Sequence, residues 1–479
     1  MALSRQKMLE RMEARDPAYD GRFITGVLST GIYCLPSCKA RNPKPENVRF
    51  FTGPEEARQA GLRPCKRCRP DQFYRREDPD RSVVEGLVAR LREDPAAHGG
   101  AEAWTAVAGV GSSKLHQLFR LHFHSTPARL LQEARIEAAC RRLVDTEASV
   151  SEIAFEVGYE SLSSFGENFR RSTGMSATDY RRLRGARSFY LSLPGSYPAG
   201  GVLTHLGRDP QSLTDRVRGK IFESGLWLED QPARLALSFE KGGVRASIEG
   251  ADLGDRAAVE AHRQVIRRLG LGWHSSSFER QVGQSEQLAP LVAGRRGLRV
   301  PLTGSPFDAV TWAIIGQQIN LPFAFRLQRC LVELAGAPAG DDLWAPPRAQ
   351  EVAALSPAPL LNRQYSRRKA EYLIGVAEAI VRGDLDLEAL GRGSAVVLEE
   401  RLLALRGIGP WTARYIMMRG FGLHDCVPVG DAGLVKGLQS FFKLAERPGP
   451  QETEELMEAF RPYRSLATFH FWKSLEMAA

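Results

Sequence analysis

Four cysteines fall in two pairs, Cys34-x3-Cys38 and Cys65-x2-Cys68, with 26 residues between them. Two closely spaced thiol pairs on separate loops can close a tetrahedron around one Zn²⁺ ion at about 2.3 Å per sulfur. Pro36 and Pro64 stiffen those loops. Lys39, Lys66 and Arg67 are expected to lower the thiol pKa values and so favour thiolates. Four unligated buried cysteines are the alternative, but the chain has only seven cysteines, and the clustering of four favours metal. From Arg22 to Arg76 there are 12 basic and 4 acidic residues, a net +8, which suits a polyanionic partner.

A second candidate lies far along the chain, in Leu405-Arg-Gly-Ile-Gly-Pro-Trp-Thr-Ala413. A Gly-x-Gly turn, Gly407 to Gly409, entering a helix leaves backbone N–H groups free at the helix start, a ready anion site. Asp431 follows 22 residues after Gly409. Trp411 and Tyr415 stand four apart and share one helix face. Spacing alone lets that pair pack a core as readily as line a pocket.

The elements that must position these groups follow from the wider pattern. At roughly 150 residues per domain, 479 residues imply three or four domains. A composition of 43% hydrophobic and 25% charged residues excludes a disordered or fibrous chain. No apolar run reaches the ~20 residues of a membrane span, and Met1–Asp16 lacks a signal-type apolar stretch. A cytoplasmic protein without a membrane partner is therefore expected, and its net charge of +9 favours nucleic acid. The charged, proline-bearing stretch Arg75–Arg81 reads as a linker. Beyond it an internal repeat is offset by 50 residues: Leu115 matches Phe165, Phe119-Arg120 matches Phe169-Arg170, and Leu130 matches Tyr180. Each copy has a short helix, a glycine turn and a second helix, which suggests tandem helix-turn-helix units, with a generic helical bundle as the alternative. Further on, Leu235, Leu237 and Phe239 alternate, Lys241-Gly242-Gly243 supplies a turn, and Val244, Ala246 and Ile248 alternate again. That is a β-hairpin with one buried face. From about Leu298 the helical period returns. The expected fold is multidomain α+β. It comprises a small zinc-bound domain (1–80), a tandem helix-turn-helix all-α domain (81–187), a β-rich α+β domain (188–297) and an all-α domain (298–479).

The stretch Thr30-Gly-Ile-Tyr-Cys-Leu-Pro-Ser-Cys38 with Arg63-Pro-Cys-Lys-Arg-Cys68 resembles the N-terminal domain of the Ada adaptive-response family. The resemblance implies one Zn²⁺ held by Cys34, Cys38, Cys65 and Cys68, and a Cys34 thiolate that accepts a methyl group from a DNA methylphosphotriester. Arg41 falls where that family has a basic residue near the phosphate. The repeat, above all Ser151-Glu-Ile-Ala-Phe-Glu-Val-Gly-Tyr-Glu-Ser161, resembles the paired helix-turn-helix domain of AraC-type activators. It implies second helices entering the major groove near Ser112–Lys114 and Ser161–Ser164. The acidic Glu152, Glu156 and Glu160 fit this only if they face away from phosphate. RNA polymerase is the expected protein partner, and a monomer the expected state.

Leu405–Ala413 with Asp431 resembles the helix-hairpin-helix DNA glycosylases. Matches at Ile314-Ile-Gly-Gln-Gln318 and Arg461-Pro-Tyr-Arg-Ser465 extend the likeness to the AlkA family of 3-methyladenine glycosylases. The resemblance implies duplex DNA as substrate and hydrolytic excision of N-alkylated purines. Asp431, buried, would stabilise positive charge growing on the deoxyribose. Trp411, Tyr415 and Tyr463 would stack on a cationic flipped base. Gly407, Gly409 and Thr412 would contact the DNA backbone, and Gln318 would stand where the family has an apolar wedge. Trp411 replaces the lysine of lyase-competent relatives, which implies a monofunctional enzyme. Cys426 and its surroundings provide too few thiols for an iron–sulfur cluster. No Pro-Cys-His-Arg tetrapeptide occurs, so repair of O6-methylguanine is not expected. The combined expectation is an alkylation sensor, transcriptional activator and glycosylase in one chain. The alternatives are a regulator with an inactive glycosylase half and a zinc-stabilised DNA scaffold without methyl transfer.

Overall fold

The computed structural model describes residues 3–476 apart from 76, 98–100, 274 and 341. The chain forms two compact units, Met1–Val83 and Val84–Ala479. The architecture is multidomain α+β, with helices throughout and two substantial sheets.

In the first unit four strands, β1 (Ile24–Val27), β2 (Ile32–Cys34), β3 (Val48–Phe51) and β4 (Arg63–Pro64), form a sheet in the order β3-β1-β2-β4. The parallel pairing of β2 with β4 sets Tyr33 opposite Pro64. It therefore carries Cys34 and Cys65, the next residue on each strand, to the same end of the sheet. The core beneath is small: Ile24, Tyr33, Leu35, Phe51, Ala57 and Leu62. Gly26 is needed for it to close, because a Cβ there would lie 2.4 Å from the Phe51 ring and 2.6 Å from Leu62. The stretch expected as a linker is shorter than the sequence suggested. Pro79, Asp80 and Arg81 already belong to helix Pro79–Glu93, since proline suits the first helical position and Asp80 the first turn.

In the second unit the repeat has the expected offset, with helices Ser112–Phe123 and Leu162–Thr173 shifted by 50 residues. All six matched apolar positions, Leu115 and Phe165, Phe119 and Phe169, Leu130 and Tyr180, are buried. Gly109 and Gly158 make the turns with φ of +62° and +93°, where a side chain would be strained. Two of the three acidic residues have local partners, Glu152 in a capping box with Ser149 and Glu156 paired with Arg142, while Glu160 is exposed.

Strands β5 (Ser188–Ser192), β6 (Asp215–Arg218), β7 (Ile221–Leu228), β8 (Gln231–Glu240) and β9 (Gly243–Glu249) follow in the order β5-β9-β8-β7-β6. The hairpin pairs Leu235 with Ile248, Leu237 with Ala246 and Phe239 with Val244, all buried. Its turn is tighter than expected. Gly243 pairs with Glu240 and opens β9, leaving Lys241-Gly242 as the loop. The second helix-turn-helix unit and this sheet share one continuous core, from Phe169 and Tyr180 to Leu237 and Val265. The remaining helices, among them Pro306–Ile315, Arg367–Val381, Ala395–Leu403, Pro410–Gly420, Ala432–Phe442 and Arg464–Glu476, enclose a separate core around Ile314, Leu373, Ile416, Leu438 and Phe471. Among the described residues no helix is long and apolar enough to cross a membrane.

Candidate functional site

The sulfurs of Cys34, Cys38, Cys65 and Cys68 lie within 4.8 Å of one another, three of the residues buried and Cys68 partly so. Backbone N–H groups already point at two of them: Leu35 donates to Cys68 Sγ at 3.3 Å and Arg67 to Cys65 Sγ at 3.4 Å. Four thiol donors at this separation match a tetrahedral zinc site. Arg67 does not act as the sequence suggested. The Arg67 guanidinium turns away to the carbonyl of Lys39 at 3.0 Å. The thiols instead act on one another. Hydrogen bonds to Cys38 and Cys68, then burial, push Cys34 up, while hydrogen bonds from Cys34 and Cys68 push Cys38 down to about 2. Zinc held by the four thiols would keep Cys34 deprotonated. Arg41 is exposed.

In the second unit a cleft of about 930 Å³ runs between the helix-linking turn and the end of helix Pro306–Ile315. Gln318, Trp411, Thr412, Gly407, Gly409 and Asp431 all line it. Gly407 has φ +90°, and a Cβ there would meet the Tyr372 ring at 2.2 Å. The turn is fixed to the opposite wall by Gln317, whose Nε2 donates to the Gly407 carbonyl at 2.8 Å and to Thr412 Oγ1 at 3.1 Å. Space around Gly409 is open, and Pro410 brings no N–H. The helix start therefore offers its free backbone donors to an anion. Gln318 is exposed and left-handed at φ +55°, a conformation that costs a non-glycine residue about 1 kcal/mol or more.

Asp431 caps helix Ala432–Phe442, accepting the Leu434 N–H at 2.7 Å. Its carboxylate also accepts Trp472 Nε1 on Oδ1 at 2.8 Å and Trp411 Nε1 on Oδ2 at 3.2 Å. Three N–H donors and a helix N-terminus hold the group as an acceptor. Asp431 is half-buried, not buried as expected, because it forms part of the cleft wall. Trp411 stacks on Tyr415 with ring centroids 5.6 Å apart, and Tyr415 packs in turn on Trp472 at 6.1 Å. Tyr415 is thus beneath the cleft and not on it, since its ring is covered by the two tryptophans. Tyr463 is also away from the cleft, packed edge-on to Phe278 at 6.2 Å. Trp472 and Gln317 were not singled out from sequence as site residues. Nothing local marks Trp472, while Gln317 stood next to Gln318 in a motif already noted. Two cysteines, Cys330 and Cys426, fall in this part of the chain, too few for a four-cysteine cluster.

Residues 7–71 match the metal binding domain of Ada, 104–183 a helix-turn-helix domain, and 311–462 the HhH-GPD superfamily of base excision DNA repair proteins. A probable bifunctional transcriptional activator/DNA repair enzyme AlkA of Mycobacterium tuberculosis is 27% identical over 98% of this chain and 96% of its own length. The bifunctional transcriptional activator/DNA repair enzyme AdaA of Bacillus subtilis is 32% identical over 35% of this chain and 78% of its own. The solved 3-methyladenine DNA glycosylase of Archaeoglobus fulgidus superposes with a TM-score of 0.55 at 20% identity, covering 61% of this chain and 99% of that one, and so shares the fold. With the three matches in this order, the chain belongs to the family of bifunctional transcriptional activator/DNA repair enzymes that join an Ada-type metal-binding domain and a helix-turn-helix domain to a helix-hairpin-helix glycosylase.

Proposed function

We propose that this chain senses DNA methylation damage at Cys34, activates transcription in response, and hydrolytically excises N-alkylated purines such as 3-methyladenine and 7-methylguanine. We assign sensing to residues 1–80, promoter binding to 81–187, and excision to 188–297 together with 298–479. In the sensor the Cys34 sulfur attacks the methyl carbon of a methylphosphotriester. The carbon–oxygen bond breaks, and the phosphodiester leaves as an anion to which Arg41 lies open. Zinc bound by the four cysteines would keep the sulfurs deprotonated yet nucleophilic.

In the cleft the free N–H groups at Gly409 and Thr412 bind a backbone phosphate and present the lesion to Asp431. An N-alkylated purine is cationic and leaves readily, so the enzyme supplies charge stabilisation more than acid catalysis. Asp431 stabilises the positive charge growing on the deoxyribose and orients the attacking water. With Trp411 where lyase-competent relatives carry lysine, and Lys369 of the same cleft donating its Nζ to the Ile315 carbonyl at 2.7 Å, the reaction is hydrolysis without strand cleavage. Gln318 fills the gap in the duplex. The partners are alkylated and promoter DNA and RNA polymerase, and the chain acts as a monomer in the cytoplasm.

The observation that carries this reading is Asp431, fixed by three N–H donors in the same cleft as the Gly407–Gly409 turn. The test is release of free methylated purines from alkylated duplex DNA. Asp431→Asn keeps a capping oxygen but sets an NH₂ group against one of the tryptophan N–H groups, so it should lose about 10²-fold or more in rate. Equal release by both proteins would sink the assignment, and no release by either would make the second unit a DNA-binding module only.

A further inference from the structure

The first helix-turn-helix unit reaches into the excision machinery through the end of its second helix. Helix Ser112–Phe123 stops at His124, which is left-handed with φ +49°. The His124 ring is partly buried, and its Nδ1 accepts the backbone N–H of Asp425 at 3.0 Å, across 301 residues of chain. Burial pushes the ring down to about 4, so at neutral pH it carries one proton, on Nε2, and Nδ1 is free to accept. Two further contacts accompany it. His122 Nδ1 lies 2.8 Å from Ser394 Oγ, the cap of helix Ala395–Leu403 that leads to the Gly407–Gly409 turn. Arg129 reaches the carbonyl of Gly272 and His424 Nε2, each at 3.1 Å.

Asp425 lies within the loop that runs from Phe421, after helix Pro410–Gly420, to Asp431. From the other side this loop is held by Arg464, which grips the Asp425 carboxylate at 2.6 and 2.8 Å, and by Ser465 Oγ, which accepts the Cys426 N–H at 2.9 Å. The loop is therefore clamped between its own C-terminal helix and the helix-turn-helix unit. This docking leaves the outward residues of helix Ser112–Phe123 exposed, Ser112, Ser113, Gln117 and Arg120 among them. The same helix can meet DNA with one face while it braces the loop with its end.

We infer that His124 is a positioning residue for base excision: by accepting the Asp425 N–H it fixes the loop that presents Asp431 to the substrate. The inference rests on the excision reading above. It makes the regulatory region a working part of the repair enzyme, since a displacement of about 1 Å at a catalytic group can cost as much as 10²-fold in rate.

The left-handed backbone of His124 offers clean variants. His124→Gly suits that backbone and removes only the ring. His124→Asn also tolerates it, and its Oδ1 takes the place of Nδ1 along the side chain. The full-length, zinc-loaded protein would be assayed for single-turnover release of 3-methyladenine, with affinity for abasic-site duplex and thermal midpoint measured alongside. The expected result is a roughly tenfold slower step for His124→Gly, with abasic-site affinity unchanged and most of the rate restored in His124→Asn. Equal rates for all three proteins would overturn the inference. So would a loss that tracks abasic-site affinity or folded fraction and is not relieved by asparagine, because that is what ordinary packing would give. If the unaltered chain releases no base at all, the excision reading itself fails, and this inference falls with it.

Discussion

The four sulfurs of the first unit come together because two strands and their loops pair locally, whereas Asp431 is held by tryptophans 20 residues before it and 41 after it. The first site is close to being its own fold. Its core is small for a sheet of four short strands, and the metal ligands form a second cluster beside it. The second site sits at the edge of a large core, against which Trp411 and Trp472 pack. Losing the site should therefore unfold the first unit and leave the second folded but inactive.

Chelation tests this most severely. Structural zinc contributes apparent free energy on the order of 10–16 kcal/mol at neutral pH, more than a small unit can spare. Stripping zinc should abolish protease resistance and amide protection in residues 1–83 while purine release continues. Parallel loss of excision would show that the two sites share a folding unit after all.

Acid acts on the second unit through a different set of groups. Residues 1–83 contain no histidine, whereas the second unit buries several as neutral rings. Burial pushes His262 down to about 4 and His470 to about 3, from an ordinary 6.5. A depressed folded pKa means that the unfolded chain takes up protons first. Stability is thus complete above pH 6.5 and falls as pH drops towards 4. Each ring should cost about 2 kcal/mol by pH 5. Denaturant midpoints of Val84–Ala479 signals should drop over that window, and less steeply in His470→Asn. A flat profile would mean that these rings are protonated in the folded protein.

What the sequence disclosed follows the same division. The cysteine pairs, the 50-residue repeat and the β8–β9 hairpin were legible because each is set by residues within a loop, a turn or one copy of a motif. Asp431 was legible only through its distance from Gly409 in a recognised pattern. Its donors Trp411 and Trp472 come from separate helices, and no local period marks such a convergence. Tyr463 entered through the resemblance alone, and its edge-on packing on Phe278 is a tertiary contact that no local period marks. The His124–Asp425 contact lies beyond any pattern in the chain. Arg67 misled in another way, since charge near a thiol in sequence says nothing of where the guanidinium points.

The two sites also differ in whether their charge can change. Zinc with four thiolates would carry −2, and a methyl group on Cys34 would reduce that to −1 amid the unchanged +8 of residues 22–76. One unit of repulsion removed at ~8 Å from a phosphate is worth roughly 2 kcal/mol at an effective dielectric near 20, before screening. Promoter affinity should therefore rise about tenfold or more on methylation, with the gain shrinking as salt increases. A gain independent of salt would point to a change of shape instead.

The smallest effect separates two roles of Trp411, whose ring covers Tyr415 and whose N–H meets Asp431. Trp411→Phe keeps an aromatic surface for stacking and deletes the donor. A hydrogen bond to a charged group contributes about 1.5–3 kcal/mol at most, and the two remaining donors, Trp472 and Leu434, still hold the other oxygen. Excision should slow by roughly tenfold for every lesion alike, because an ill-held carboxylate serves all leaving groups equally. Trp411→Ala removes the ring as well. It should add a further loss for cationic 3-methyladenine that neutral hypoxanthine does not suffer, since only the cation gains from the face of an aromatic ring. Comparing the two lesions in the two variants thus assigns the ring and the N–H separately. If Trp411→Ala slowed both lesions to the same degree as Trp411→Phe, the ring would have no part in choosing the base, and lesion choice would have to be sought elsewhere along the cleft.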